Sequence, residues 1–172
     1  KSYDITKKRI ALYKYSKKAY LIRDEAEKLS MHFSKKNNFD LIYSFGVLHH
    51  SSSLRKSLNE IYKIMTKKTI LKVMLYAKNS YKFFLMENNL ARYEAQKNVP
   101  VIDFYDKNQI KKLFSKFKII NMYQDFIFPY KIKPYKKNQY VKVNHFKYMN
   151  KNIFNILKSN LGEHLLITLK KS

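Results

Sequence analysis

The chain has 172 residues and a mass of 20.8 kDa, which suits a single domain able to bury roughly 70% of its unfolded surface. It contains no cysteine, which excludes a disulfide framework and a thiolate metal site. No apolar run reaches the roughly 18 residues needed to span a bilayer, and Lys1-Ser2-Tyr3-Asp4 does not read as a signal peptide, so a cytoplasmic setting is expected. The formal charge of +24, from 36 basic and 12 acidic side chains, raises the alternative of a non-catalytic module that binds RNA or an anionic membrane surface. Against it, arginine occurs only at Arg9, Arg23, Arg55 and Arg92, and lysine is spread along the whole chain. That is the pattern of an AT-rich coding sequence more than of a dedicated reader of phosphates and bases.

The elements alternate in the manner of a parallel sheet. Tyr3-Asp4-Ile5 reads as the tail of a strand, and Thr6 as the cap of a helix through about Tyr15 with Ile10 and Tyr13 on its inner face. Ala19 to Ile22 is a candidate strand, and Asp40 to Ser44 is the next. Leu54, Leu58, Ile61, Tyr62 and Met65 recur at helical spacing, with Ser51 to Ser53 as cap candidates. Ile70 to Tyr76 follows as a buried strand. Asp106 and Gln109 form a capping-box pattern ahead of Ile110, Leu113, Phe114 and Phe117. Lys118 to Tyr123 and His164 to Leu169 read as strands, the second preceded by a helix from about Asn152 to Leu161 that Gly162 can terminate. Residues about 80–104 and 126–150 interrupt this pattern. They are rich in aromatics and lysines, among them Tyr81, Phe84, Tyr93, Tyr130 and Tyr140. They suit packed loops or a lid over a ligand, or stacking on single-stranded nucleic acid.

The stretch Asn38 to His50 carries the most information about chemistry. Phe39-Asp40-Leu41-Ile42-Tyr43-Ser44-Phe45 is the near-continuous apolar run of a strand covered on both faces, and open α/β sheets bind ligands beyond the carboxyl ends of such strands. His49 and His50 then stand at the mouth of a pocket, where a neutral imidazole, with an ordinary pKa of about 6.5, can accept a proton. They are the candidate catalytic residues.

This run resembles the fourth-strand motif of class I S-adenosylmethionine-dependent methyltransferases of the type-11 kind, where Phe-Asp-Leu-Val-Tyr-Ser precedes a Leu-His-His turn. Tyr3-Asp4-Ile5-Thr6 is similar to the family's Val-Asp-Leu-Ser, and Glu25-Ala26-Glu27-Lys28-Leu29 to its Asp-Ala-Glu-x-Leu signature. Met74 to Tyr81, Phe104 to Phe117 and Leu161 to Ile167 resemble later family segments. The resemblance implies a Rossmann-like α/β domain over residues 1–172, mostly parallel with an antiparallel last strand, and with S-adenosylmethionine as cofactor. It implies that Asp4 and Ile5 meet the ribose, that Asp24 or Glu25 with Ala26 meet the adenine, and that Ser44, Phe45, Leu48 and His49 pass along the methionine part. The partner implied is a small-molecule, lipid-like or sugar methyl acceptor, with no metal.

The departures are specific. Ser51-Ser52 replaces the family's Pro-Asp, Lys67-Lys68-Thr69 replaces a Lys-Pro-Gly-Gly turn, and no Gly-x-Gly-x-Gly is present. Because that glycine turn ordinarily stands about 20 residues ahead of the acidic ribose ligand, the sequence reads as an amino-terminally truncated domain. It is expected to bind the cofactor weakly or not at all.

Overall fold

The structure is a computed structural model that describes residues 2–90 and 103–172. Tyr93 and much of the first interrupting segment lie outside the described residues. Helix α1 (Ser2–Leu12) opens the chain. A 3-10 turn (Ala26–Lys28) runs into the short helix α2 (Leu29–His32), and strand β1 (Leu41–Phe45) follows. After a 3-10 turn at Lys35–Asn37 ahead of β1, a third one (Leu48–His50) leads to helix α3 (Leu54–Ile64) and strand β2 (Ile70–Ala77). Next come helix α4 (Tyr81–Glu87), strand β3 (Phe104–Tyr105), helix α5 (Lys107–Leu113) and strand β4 (Phe117–Asp125). Two one-turn helices, α6 (Ile132–Tyr135) and α7 (Asn144–Lys147), precede helix α8 (Lys151–Leu161) and strand β5 (His164–Lys171).

The strands form one mixed sheet in the order β1-β2-β5-β4, with β3 pairing β2 beyond the end of β1. β1 and β3 run parallel to β2, while β5 is antiparallel to both β2 and β4. The carboxyl ends of β1, β2 and β4 therefore point the same way. This is the Rossmann-like arrangement with an antiparallel last strand that the sequence implies.

One face of the sheet carries the core. Leu71, Val73 and Leu75 of β2 and Leu165, Ile167 and Leu169 of β5 alternate inward. They meet Leu54, Leu58 and Ile61 of α3, then Met65, and Ile110 and Phe114 from α5 and its cap. Ser53 caps α3 by accepting from Lys56 N at 3.3 Å. Asp106 and Gln109 close a reciprocal box at the start of α5, as their spacing predicts.

Two turns solve their geometry differently from the expectation. Thr66 and Thr69 replace a glycine turn with side-chain bonds: Thr69 Oγ1 accepts from Thr66 N at 2.9 Å, and neither Lys67 nor Lys68 takes a positive φ. Gly162 ends α8 in an extended conformation rather than the left-handed one. Its requirement is space, since a Cβ there would lie 2.4 Å from the carbonyl oxygens of both Asp125 and Lys158.

Four expected features differ in the structure. Tyr3 to Ile5 is the first turn of α1 rather than a strand, and Ala19 to Ile22 is irregular, with Tyr20 84% exposed. Both segments are short, and an isolated strand does not persist without a partner to complete its ladder. The predicted inner face of α1 does not form either, because Tyr13 is exposed and α1 has no substantial packing against the sheet. Finally, β1 is an edge strand rather than one covered on both faces. Leu41, Tyr43 and Phe45 are 52%, 63% and 45% exposed, and only Ile42 of its apolar side chains packs against the core. Among the described residues, no helix is long and apolar enough to cross a membrane.

Candidate functional site

The chain leaves β1 through Gly46, whose φ of +70° is a conformation that side-chain-bearing residues rarely adopt. Space is not the constraint here, because an added Cβ would make only ordinary contact with Met74. After Gly46, Val47 stays exposed and Leu48 turns into the core. The turn is closed by His50 N donating to Val47 O at 2.9 Å and by the Ser51 hydroxyl donating to Leu48 O at 2.8 Å.

His49 departs from its expected place at a pocket mouth. It is fully buried, its ring 4.0 Å from His50 and 4.1 Å from Tyr76 between centroids. Burial, and then the neighbouring His50, push its pKa down to about 4, although the Met74 backbone acts the other way. Among the described residues, neither of its ring nitrogens has a partner in hydrogen-bond geometry. The sequence pattern could not reveal this, because Leu48 and His49 both turn inward only once α3 and β2 are in place. His50 is half-buried. Ser44 Oγ, at the end of β1, is also buried without a hydrogen-bond partner among the described residues.

The acidic loop is fastened to the start of α3. Glu27 accepts from the Ser52 hydroxyl at 3.0 Å and from Ser53 N at 3.1 Å. Burial alone would raise its pKa, yet the bonds from Ser53 and Ser52 hold it below the usual carboxylate range. Ala26 packs against the core. Asp24 bonds His32 Nε2 at 2.6 Å and accepts from Glu25 N at 2.8 Å, and the His32 bond lowers its pKa most. Glu25 is exposed and pairs with Lys28 at 3.1 Å. The structure thus draws Asp24, Glu25 and Ala26 toward the serines that follow the Ser44 to His50 turn. It does not bring Asp4 and Ile5 there, since both lie on the exposed face of α1.

A stack of rings extends the site sideways along the carboxyl ends of the strands. Tyr76 of β2 pairs in register with His164 of β5, which in turn pairs with Asp125 of β4. Their rings follow the same line: Tyr76 lies 6.3 Å from His164, and His164 stacks on Phe126 at 4.5 Å and 6° between planes. Burial lowers the His164 pKa, with Asp125 opposing. Phe126 holds a φ of +69°, a strained conformation for a bulky residue, and its amide is held by the Asp125 carboxylate at 2.8 Å. The sequence signals none of this, because the meeting of Tyr76, His164 and Phe126 depends on antiparallel register.

A family model described as a methyltransferase domain matches residues 2–72. Among solved structures, the chain is similar to an S-adenosylmethionine-dependent methyltransferase of Thermotoga maritima, described as a possible histamine N-methyltransferase. The identity is 16%, with 92% of this chain and 68% of that one covered, at a TM-score of 0.60. It is also similar to the [4+2]-cyclase SpnF at 12% identity, with 98% of this chain and 62% of that one covered and a TM-score of 0.62. At these identities the likeness is one of fold. No curated protein matches the sequence.

Proposed function

We propose that this chain carries a class I S-adenosylmethionine-dependent methyltransferase domain, a reading supported by the family model over residues 2–72 and by the likeness of fold, and that it transfers a methyl group from S-adenosylmethionine to a small-molecule acceptor. The observation that carries the reading is the left-handed Gly46 turn at the carboxyl end of β1, beside the acidic loop that Glu27 ties to Ser52 and Ser53. Ligands of open α/β sheets occupy this end.

The residues fit the cofactor on two sides. Ser44 offers a buried hydroxyl without a hydrogen-bond partner among the described residues, and with Phe45 and Leu48 it would flank the methionine part. Asp24 or Glu25, with the Ala26 backbone, would take the adenine edge. On the ribose side the fit fails, because Asp4 stands on α1 rather than at a strand end. The glycines of this sequence are Gly46 and Gly162, and neither lies in a glycine-rich turn.

When bound, S-adenosylmethionine supplies an electrophilic methyl carbon on a sulfonium. The protein's part is then to hold an acceptor in line with it and to exclude water. His49, buried and neutral, acts by packing under the turn. His50, which keeps some exposure, is the residue placed to take a proton from an acceptor that must lose one.

Fold alone does not decide the reaction, as a cyclase on the same architecture illustrates. Calorimetric titration with S-adenosylhomocysteine is the test. Binding weaker than about 100 µM is expected, given the absent backbone cradle, and Gly46→Val should abolish it because a β-branched residue resists positive φ. Binding that Gly46→Val leaves unchanged would overturn the placement of the cofactor at this turn, and micromolar binding would show that a glycine-rich turn is dispensable.

A further inference from the structure

Beyond the ring stack that leads away from the proposed cofactor turn lies a cavity of about 210 Å³ whose walls combine aromatic, aliphatic and charged side chains. It is built by α4, by the segment that follows β4, and by the residues just before β5. Tyr81 of α4 meets Phe146 of α7 edge-to-face at 5.7 Å, and its hydroxyl lies 3.1 Å from His145 Nε2. Phe128 and Tyr130 form a second edge-to-face pair at 5.7 Å on the segment after β4. Glu163, only 7% exposed, lines the same cavity, and its carboxylate accepts from Phe128 N at 3.2 Å.

We propose that this cavity binds the methyl acceptor, and that the acceptor is an uncharged planar aromatic molecule of one ring or two fused rings bearing a hydroxyl or ring N–H. The role as acceptor site rests on the methyl-transfer reading, while the aromatic selectivity rests on the cavity alone. Position supports the first part. The cavity stands over the carboxyl ends of β2 and β4, and Glu163 adjoins His164, whose ring reaches the cofactor turn through Tyr76 and His49.

Size and chemistry support the second part. A cavity of roughly 150 Å³ accepts benzene, so this one has room for a substituent or a fused ring. The rings of Tyr81, Phe128, Tyr130 and Phe146 in the wall favour a flat ring by offset or edge contacts, and the aliphatic side chains between them fill around it. A buried carboxylate in the wall disfavours an anion, whereas Lys82 and Lys131, which also line the cavity, disfavour a cation. The carboxylate is an acceptor of hydrogen bonds only, so a ligand that carries a donor complements it.

Saturation-transfer NMR and calorimetry on the whole chain, without cofactor, test this with indole and p-cresol against cyclohexylmethanol and benzoate. Two ring contacts of the ordinary size should favour the first pair by about tenfold. Leu85→Trp, placed to fill the cavity from α4, should abolish binding while the circular dichroism spectrum is retained. Val143→Phe fills it from the other side and serves if the first variant misfolds. Equal binding of aromatic and aliphatic probes, or binding that survives both filling variants, overturns the proposal. Probe binding without any S-adenosylhomocysteine binding would leave the aromatic site standing and remove only its role as acceptor site.

Discussion

A histidine with both ring nitrogens buried and without hydrogen-bond partners among the described residues makes stability depend on pH in a defined direction. His49 has a folded pKa of about 4, against about 6.5 for an unfolded histidine. Between those values the unfolded chain binds a proton that the folded one refuses, so this residue lowers stability as pH falls from 6.5 toward 4, and the loss levels off below that. His49→Phe keeps a ring against Tyr76 and removes the titration. Between pH 7 and pH 5, urea denaturation should show the wild type losing about 2 kcal/mol more than the variant. Equal losses would mean that the imidazole is solvated in the folded state. The dipeptide His49-His50 was legible in the sequence as a marker of the turn, but not the division of labour within it. Two adjacent residues of a 3-10 turn point in different directions, and only the packing of β2 decides which is buried. Asp4 illustrates the opposite error: a dipeptide that resembles a ribose ligand takes the helical state when no strand pairs with it.

Elements with a strong apolar period or a complete cap were legible. The strands β1, β2, β4 and β5 and the helices α3, α5 and α8 all fall where periodicity places them; β2, β5 and α3 bury the face that the sequence displays, whereas β1 and α8 keep much of theirs exposed. The two-residue β3 and the one-turn helices α6 and α7 were not, being too short to carry a period. Nor was the fastening of the acidic loop to α3, which joins residues far apart in the sequence. That fastening is a prediction in itself. Glu27 places a carboxylate at the amino end of α3 through Ser52 and Ser53, where both the helix dipole and the charged hydrogen bonds favour it. Its lowered pKa means the contribution is present above the ordinary glutamate range and fades as the carboxylate protonates at lower pH. Glu27→Gln should lower stability at pH 7 by about 1 kcal/mol, with little difference from the wild type at pH 3, as read by thermal unfolding. It should also weaken S-adenosylhomocysteine binding, because the loop that carries Asp24 to Ala26 loses its anchor. A stability loss of the same size at both pH values would show that the carboxylate charge is not what fastens the loop.

At the scale of the molecule, an unpaired strand edge and a large positive charge act in opposite senses. β1 presents Leu41, Tyr43 and Phe45 on an open face and, among the described residues, pairs only with β2, a combination that invites association. The net charge of +24 keeps copies apart at low ionic strength and does so less as salt shortens the Debye length from about 10 Å at 0.1 M to about 3 Å at 1 M. Sedimentation velocity should therefore show association that increases with salt. Tyr43→Lys, which puts a charge on the edge, should suppress it. The trend also separates this surface from nucleic-acid binding, whose affinity falls as salt rises. Association that declines with salt would place the contact on the lysines rather than on β1.

The strand order has a consequence for how the molecule is made. β5 is the last strand in chain order among the described residues, yet it sits between β2 and β4 and joins them. Until it emerges from the ribosome, β2 and β4 have no contact through the sheet, and each shows an open ladder edge to the cell. Productive collapse therefore waits for the end of this stretch of synthesis, and the long separation of β2 from β5 slows it further. Until β5 is made, the nascent chain is exposed to chaperones and to misassociation through this open sheet. Its high charge then protects an unfinished sheet as much as a finished one.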